Sequence, residues 1–217
     1  MTMNHALCAA LLGLAAAAPA HAEAGDWLVR ARAIWVSPTE SSSGIEPAFP
    51  NDRVGVGGDV MPELDFTYFV TRNVGVELIL GTTKHNVTGR RGLAGLGELA
   101  DTWVLPPTLT AQYHFVPDGK VRPYVGVGVN YTTFYNEDAS KSLNAAIGKT
   151  RVSLKDSWGL ALQAGVDIDL TQKVFFNLDV KYIDMDTTAK LRTGNMINKV
   201  DVSIDPIVAG IGLGMRF

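Results

Sequence analysis

Cysteine is almost absent from this chain of 217 residues, which contains only Cys8. That residue lies in an apolar segment near the start, so the rest of the sequence has no thiol for a disulfide framework or a cysteine-ligated metal site. An excess of one charge is missing as well, because 19 basic residues are balanced by 22 acidic ones and the formal net charge is −3. Without a basic excess, the sequence gives no reason to expect a nucleic-acid partner.

A continuous apolar run long enough to cross a bilayer as a helix is also missing. The most apolar stretch, residues 7–18 (LCAALLGLAAAA), is too short for that, and it leads into Ala20-His21-Ala22, a cleavage sequence of the A-x-A type. Together they predict a secretory signal peptide over residues 1–22, removed from the mature protein, although the preceding residues lack Lys and Arg. The alternative is a buried N-terminal helix. A secreted chain without disulfides or apolar helices can still lie in a membrane if its strands close into a barrel.

What the sequence does contain is an alternation of apolar and other residues with a period of two, which indicates β-strands with two different faces. About eight segments show it, and most have roughly the ten residues that a tilted strand needs to cross a bilayer. These segments are residues 27–35, 60–70, 74–80, 103–115, 125–131, 158–168, 176–182 and 207–217. The pattern predicts an all-β chain with strands of membrane-spanning length.

The connections between these segments alternate strictly between short and long. The short ones are Thr71–Asn73, Val116–Lys120 and Thr171–Lys173, and the long ones are Ser37–Gly57, Thr83–Thr102, Asn136–Asp156 and Asp184–Lys199. Outer-membrane barrels have this asymmetry, with short periplasmic turns and long external loops, whereas a soluble sandwich has no reason to sort its loops in this way. The sequence therefore predicts an eight-stranded antiparallel transmembrane β-barrel over residues 23–217, with four long external loops.

The chemistry of the two strand faces supports the same architecture. One face is branched and aromatic, as at Val125, Val127 and Val129, whereas the other carries glycines and charges, as at Gly126 and Gly128. Glycines and charges suit a narrow lumen, and the apolar face suits lipid. Because no backbone group can stay unpaired in hydrocarbon, such a sheet must close on itself. Aromatic residues near the segment ends fit the girdles at the two membrane interfaces.

Five stretches of the chain, taken together, form a pattern that is specific enough to indicate a protein family. They are LDFTYFVTRNVGVELILGTTKH (Leu64–His85), LPPTLTAQYHF (Leu105–Phe115), RPYVGVGVNYTTFYNE (Arg122–Glu137), LQAGVDIDL (Leu162–Leu170) and IDPIVAGIGLGMRF (Ile204–Phe217). Together they closely resemble the OmpW family of Gram-negative outer-membrane proteins, and the resemblance covers nearly all of the mature chain. It implies an eight-stranded barrel in the outer membrane and a role in the passage of small hydrophobic molecules. It also implies that the C-terminal Phe217 is the signal by which the outer-membrane assembly machinery recognises the chain.

Five charged side chains are expected to point into the lumen. Arg30 and Arg32 lie on the first predicted strand, Glu63 and Asp65 lie on the second, and Glu77 lies on the third. Neighbouring strands bring such residues within reach of cross-strand pairs, and buried charges need partners. Two interpretations are open. The five residues form a structural ion network that plugs a barrel too narrow for a wide water pore, or they form a polar relay or ion selector.

An apolar cluster occupies the second long loop, where polar residues are the rule. The segment GLAGLGELA contains Leu93, Leu96 and Leu99, and Trp103 and Leu105 follow it. An exposed apolar cluster of this kind needs a physical reason. Either it packs on the other loops as a cap, or it forms a hydrophobic vestibule and gate for an apolar solute.

Prolines interrupt the strand pattern near the same outer end. Pro62 lies in the second predicted strand, and Pro106 and Pro107 lie in the fourth. Because proline cannot donate to a strand ladder, a gap in pairing here weakens the wall near the outer leaflet and opens a lateral exit into the membrane. The alternative is that the prolines only end a frayed strand.

No catalytic, metal or cofactor site is predicted. The inward His114 has no serine near it in the sequence, so the hydroxyl and base of an acyl-transfer pair are not expected. The sequence favours a passive channel for small hydrophobic molecules with a lateral exit into the surrounding lipid. The alternative is a structural or surface-interaction barrel whose external loops bind partners or support tolerance of envelope stress.

Overall fold

The computed structural model describes residues Glu23–Phe217, so the predicted signal peptide over residues 1–22 lies outside the described part of the chain. Fifteen strands, a short 3-10 helix (Arg91–Leu96) and the helix α1 (Lys141–Ile147) make up the regular structure of these residues. The strands are β1 (Trp27–Ser37), β2 (Ser41–Ser42), β3 (Arg53–Val56), β4 (Asp59–Phe69), β5 (Val74–Gly81), β6 (Thr83–Arg90), β7 (Glu98–Leu105), β8 (Thr108–His114), β9 (Val121–Ala139), β10 (Thr150–Leu154), β11 (Ser157–Asp169), β12 (Val174–Ile183), β13 (Asp186–Thr193), β14 (Met196–Ser203) and β15 (Ile207–Arg216). Among residues 23–217, no helix has the length and apolar character needed to span a membrane.

Eight of the strands form a closed antiparallel barrel. β1 pairs with β4, and the pairing continues in order through β5, β8, β9, β11, β12 and β15. β15 then returns to β1 over ten residue pairs, from Leu28 opposite Arg216 to Ser37 opposite Ile207. This closure confirms the predicted eight-stranded antiparallel barrel, and it satisfies the backbone groups that a bilayer cannot hydrogen-bond.

The two faces of the barrel wall differ as the alternation predicts. Outward side chains are apolar and exposed, for example Val60 (66%), Val127 (56%) and Leu160 (61%). Many of their inward neighbours are polar and buried, as at Arg30 and Asn130, whereas the inward residues next to the long connections, such as Ile34 and Met61, are apolar. An apolar exterior around a polar interior is the reverse of a water-soluble barrel, and it suits a wall in contact with lipid.

Short turns connect the strands at one end of the barrel. Two of them share the sequence Thr-x-x-Val and the same structure: the hydroxyl of Thr71 accepts a hydrogen bond from the N–H of Val74 (3.0 Å), and that of Thr171 accepts one from Val174 (2.9 Å). Such local bonds from backbone to side chain fix a turn. At the same end, Phe217 donates its N–H to the carbonyl of the first residue of β1 at 2.9 Å, which seals β15 against β1.

At the opposite end some strands continue as an outer layer, and each of the four long connections therefore contains strand residues, most of all the second and the fourth. β10, β13, β14 and β2 form a four-stranded sheet. β6 and β7 form a hairpin that pairs with β3 on one side and with the outer part of β9 on the other. Alternation is present in these connections, as at Thr150, Val152 and Leu154, but each run is too short to stand out between turn residues. The inward side chains of this layer belong to one apolar cluster with the outer ends of the barrel strands.

Candidate functional site

An apolar cavity of about 100 Å³ lies inside the outer half of the molecule. Both layers contribute to its wall, with Ile34 from β1, Met61 from β4, Val104 from β7, Phe134 from β9 and Val208 from β15. All five side chains are buried in the apolar cluster that joins the two layers. An apolar cavity of roughly 150 Å³ stays dry and binds benzene, and the cavity here has the same apolar character but a smaller volume.

The residues of the predicted vestibule take three different positions. Leu99 is buried and lines the cavity. Leu93 and Leu96 belong to the 3-10 helix and pack, partly buried, against the apolar cluster behind the cavity wall. Trp103 and Leu105 face away from the cavity, because the inward positions at this end of β7 are the even-numbered ones. The prediction that Trp103 and Leu105 line a vestibule is therefore wrong. Their inward neighbours, such as Val104, line the cavity instead.

A charged layer closes the cavity on the side of the short turns. Lys181 and Glu63 border the cavity, and Nζ of Lys181 lies 2.7 Å from Oε1 of Glu63 and 3.0 Å from Oδ1 of Asp179. All three side chains are buried. Removing one partner of a buried ion pair costs on the order of 3–5 kcal/mol, because the other charge is left without compensation. An apolar molecule that moved from the cavity towards the short turns would have to separate these paired charges, so the layer is a barrier to it.

Arg30 lies at the centre of the network below this layer. Its guanidinium is fully buried and contacts three carboxylates, Asp65 at 3.3 Å, Glu77 at 3.2 Å and Asp167 at 3.0 Å. It also donates a hydrogen bond to Oγ1 of Thr67 at 2.8 Å. A guanidinium has five N–H donors in a fixed plane, so one side chain can serve several acceptors around the lumen.

Arg32 connects this cluster to the floor of the cavity. Its Nε lies 2.9 Å from Oε1 of Glu63, its Nη2 lies 2.8 Å from Oδ2 of Asp65, and its Nη1 lies 3.3 Å from Oδ1 of Asp179. All five residues expected to line the lumen therefore share one network. Its side chains fill the interior, as is typical of a barrel of eight strands.

Sequence reasoning missed the far side of this network. Asp167 on β11 and Asp179 on β12 each bind one of the two arginines. Tyr124 on β9 donates its hydroxyl to Oδ2 of Asp179 at 2.9 Å, and its ring centroid lies 5.2 Å from the guanidinium carbon of Arg30. The signal was present, because the aspartates occupy polar positions of the same alternating runs. A sequence does not show which distant strands face each other across a lumen.

The fourth predicted strand is broken at Pro106 and Pro107. β7 ends at Leu105, and β8 begins at Thr108. Because proline has no backbone N–H for a strand ladder, the break follows directly from the sequence. Contact with β9 is kept across the break, since the N–H of Tyr131 donates to the carbonyl of Pro107 at 3.1 Å.

On the other side of the prolines the ladder is open. Pairing between β5 and β8 stops at Ile79 opposite Thr108, and pairing between β6 and β7 resumes at Thr83 opposite Val104. Three residues of each strand lie between these points outside the paired registers. Pro106 is one of them and also lines the cavity. The interruption of the wall and the cavity are therefore adjacent.

Pro62 flanks the same part of the wall from the other neighbouring strand. It lies in β4 opposite Ala33 of β1, with its ring exposed on the outer face. The ladder between β4 and β5 begins one residue further on, at Glu63 opposite Gly81. The three predicted prolines thus lie at one level of the wall, on the strands that flank the junction of β5 and β6.

His114, the candidate base considered from the sequence, is a packed group of the lower lumen. Its ring lies between those of Phe69 and Tyr124, at centroid distances of 4.9 and 5.1 Å, and its Nε2 is 3.1 Å from Oε1 of Gln112. Within residues 23–217, no group of three or more His, Cys, Asp or Glu side chains is arranged to hold a metal ion.

Comparison with known proteins identifies this architecture. The family model described as the OmpW family matches residues 23–217. Outer membrane protein W of Salmonella typhimurium is 40% identical over 206 residues, which cover 94% of this chain and 93% of that protein. The crystal structure of the outer membrane protein OprG from Pseudomonas aeruginosa matches with a TM-score of 0.86 and 37% identity, over 92% of this chain and 99% of that one. The solid-state NMR structure of outer membrane protein AlkL in DMPC bilayers matches with a TM-score of 0.72 and 27% identity, over 94% and 95% of the two chains. The chain therefore belongs to the OmpW family and is a β-barrel of the outer membrane.

Proposed function

We propose that this barrel is a passive channel for small hydrophobic molecules, which enter from outside and leave sideways into the membrane. The apolar cavity in the outer half carries the proposal, because its wall offers almost only apolar contacts to a solute. One relative points to the same chemistry: a Pseudomonas aeruginosa protein, 34% identical over 158 residues, is named "Dibenzothiophene metabolism operon protein PahQ", and dibenzothiophene is a small apolar aromatic compound.

The route follows from what surrounds the cavity. Towards the periplasm, a solute meets the buried pair of Lys181 and Glu63, which is costly to displace. Towards the lipid, it meets the open ladder beside Pro106, where the wall lacks backbone hydrogen bonds. An apolar molecule gains about 25 cal/mol for each Å² removed from water, in the cavity and in lipid alike. Lateral transfer therefore keeps the solute out of water throughout, and it needs no energy source.

Uptake of a hydrophobic fluorescent dye tests this proposal. Liposomes with the barrel should take up the dye faster than protein-free liposomes. Met61→Glu places a carboxylate in the cavity wall and should bring the rate close to that of protein-free liposomes. Met196→Glu is the matched control, because Met196 is exposed on the outer sheet and should tolerate the same change. Equal rates for the two variants, or no gain from the native barrel, would contradict the proposal.

A structural or surface-interaction barrel is the second candidate, and the ordered four-stranded sheet outside the barrel favours it. Residues 40–43 and 136–149 contribute to this outer layer through β2, the end of β9 and α1. Substituting the exposed side chains of these segments distinguishes the two functions. If adhesion or survival of envelope stress is lost while dye uptake is kept, the surface function is the main one. If both are unchanged, these segments bind no partner.

Phe217 also has a proposed role, as the signal read by the outer-membrane assembly machinery. Its side chain is exposed at the rim of the short turns, with a free ring beside the seam of β1 and β15. Phe217→Ala should slow assembly into the outer membrane of cells but leave refolding in detergent unchanged. Equal slowing of both processes would mean that the ring only stabilises the seam.

A further inference from the structure

The outer sheet carries a band of cations on its outward face. β10 and the residues that flank it place Lys149, Arg151 and Lys155 on the exposed side, and β13 adds Lys190 and Arg192. We call these five side chains the basic ribbon. The residues between them face the apolar cluster behind the sheet, so the strand alternation holds all five on one surface.

The strand register places like charges opposite each other in the ribbon. Arg151 is the ladder partner of Arg192, and Lys190 is the partner of Lys199 on β14. Like charges at directly opposite positions destabilise an antiparallel pair. Within residues 23–217, none of these cations forms an ion pair with a carboxylate. The sheet therefore holds an arrangement that an anion bound from outside would stabilise.

The carboxylates around the ribbon lie at its edges and have other partners. Glu137 accepts a hydrogen bond from a backbone N–H of β10, Asp201 from a hydroxyl of β13, and Asp156 from a tyrosine hydroxyl of β9. Glu46 lies beyond β14, opposite Lys199. These acids limit the positive surface at its borders, whereas its centre at Arg151, Lys190 and Arg192 stays uncompensated.

We propose that the basic ribbon binds the phosphate groups of the lipopolysaccharide that forms the outer leaflet around the barrel. The position of the ribbon selects this partner. Lys155 is three residues from Trp158, whose side chain is 73% exposed on the lipid-facing wall, and three residues span at most about 10 Å. The ribbon therefore begins just above the membrane interface and faces the headgroups beside it. Phosphates on a sugar backbone are multivalent acceptors that suit arginine and lysine.

A polar hollow at the foot of the ribbon supports a ligand that also contains sugar. The hollow has a volume of about 470 Å³, and its lining includes Lys155, Trp158, Ser43, Ser157 and Asp186. Hydroxyls and carboxylates can bond the hydroxyls of a sugar, and an indole offers an apolar face with a polar edge. The three carboxylates in the lining, Asp156, Asp186 and Asp201, disfavour phosphate there, so the sugar would occupy the hollow and its phosphates the ribbon.

Titration of the folded barrel in non-ionic detergent tests the proposal. The probe is a lipopolysaccharide with a phosphorylated inner core, and the comparison is the same molecule after chemical dephosphorylation. Native protein should bind the phosphorylated form more tightly, with an affinity that falls as salt rises. The variant R151S/K190S/R192S should bind it about tenfold or more weakly and lose the preference for phosphate.

A second triple variant, K84S/R90S/K141S, is the matched control. It removes three cations of the outer layer that lie outside the ribbon, on β6 and α1. It should bind like the native protein. Equal loss in both triple variants would show a general effect of charge and overturn the proposal. So would equal binding of the two forms of the lipopolysaccharide, or tighter ribbon-dependent binding of a soluble polyanion such as heparin.

Arg192→Glu separates binding from folding. It converts the Arg151–Arg192 position into a pair of opposite charges, so the isolated barrel should resist denaturant better than the native protein. The same variant should bind phosphorylated lipopolysaccharide more weakly. Higher stability with unchanged binding would mean that the ribbon is only a solvated face. Dye uptake should be normal in every ribbon variant, so failure here and failure of the channel proposal are distinguishable.

Discussion

Arg30 of β1 and Asp167 of β11 form an ion pair across the lumen, with Nη2 and Oδ2 3.0 Å apart. Their strands are not neighbours, because β4 and β15 flank β1 whereas β9 and β12 flank β11. The pair therefore connects two strands that are three apart around the barrel and closes the interior between them. Both side chains are fully buried, so neither charge has water as an alternative partner. This contact stabilises the barrel across its lower lumen, and it also blocks the passage of solutes there.

Arg30→Met should destabilise the folded barrel by roughly 3–5 kcal/mol, because it leaves the surrounding carboxylates buried without their cation. Urea unfolding in lipid vesicles measures this loss. Arg72→Met is the control: Arg72 pairs with Asp118 at an exposed periplasmic turn, and an exposed pair contributes about 1 kcal/mol or less. If Arg30→Met cost as little as the control, the network would have no bracing role and the relay interpretation would gain support.

A charge on the lipid face should be costly in proportion to its depth. Leu78 lies on the outward face of β5, near the middle of the strand, and Leu78→Arg should cost about 2–4 kcal/mol. Val116 is also outward but lies in the turn between β8 and β9, so Val116→Arg should cost about 1 kcal/mol or less. Folding into vesicles, followed by heat-modifiable gel mobility, measures both. The reverse order of the two losses would mean that the membrane boundary is misplaced.

The sequence predicted the barrel because each strand carries its own evidence. The alternation at Val125–Tyr131 and the turn at Thr71–Asn73 are local signals, and closure follows from the chemistry of the bilayer. The site was less predictable, since it depends on contacts between distant strands. Arg30 was identified from its strand, whereas its partner Asp167 could only be found once the lumen was formed. The prediction that Trp103 lines the vestibule was wrong, because the apolar character of a residue does not tell which face of a strand it occupies.

Gly165 has no side chain, and this leaves room for the ring of Tyr124, whose hydroxyl donates a hydrogen bond to Asp179 of the charge network. A Cβ at this position would collide with the ring carbon and hydroxyl of Tyr124 and with the backbone carbonyl of Leu178. Gly165→Ala should therefore cost about 1–3 kcal/mol through overpacking, measured by urea unfolding. Gly95→Ala is the control, because a Cβ there meets no atom within 4 Å. Gly165→Ala as stable as the control would mean that Tyr124 can move without disturbing the network.

The prolines beside the cavity give the sharpest test of a lateral exit. Replacing Pro106 and Pro107 by Val and Thr restores two backbone N–H groups, and because residue 107 faces Tyr131 of β9, the N–H at position 106 is the one that faces the open ladder between β5/β6 and β7/β8. Each restored bond should contribute about 0.5–1.5 kcal/mol, and more where hydrocarbon makes an unpaired group costly. The barrel should thus resist urea better and take up the hydrophobic dye more slowly.

Pro123→Val is the matched control for this change. Pro123 lies in β9 opposite Val166, in the periplasmic half of the barrel and away from the cavity, so it should leave dye uptake unchanged whatever it does to stability. The double variant must show both effects together. Higher stability with normal uptake would mean that the prolines only end a strand and that the exit lies elsewhere. Lower stability would mean that the prolines fit a bend that the native wall requires, and a lateral exit at this position would then have no support.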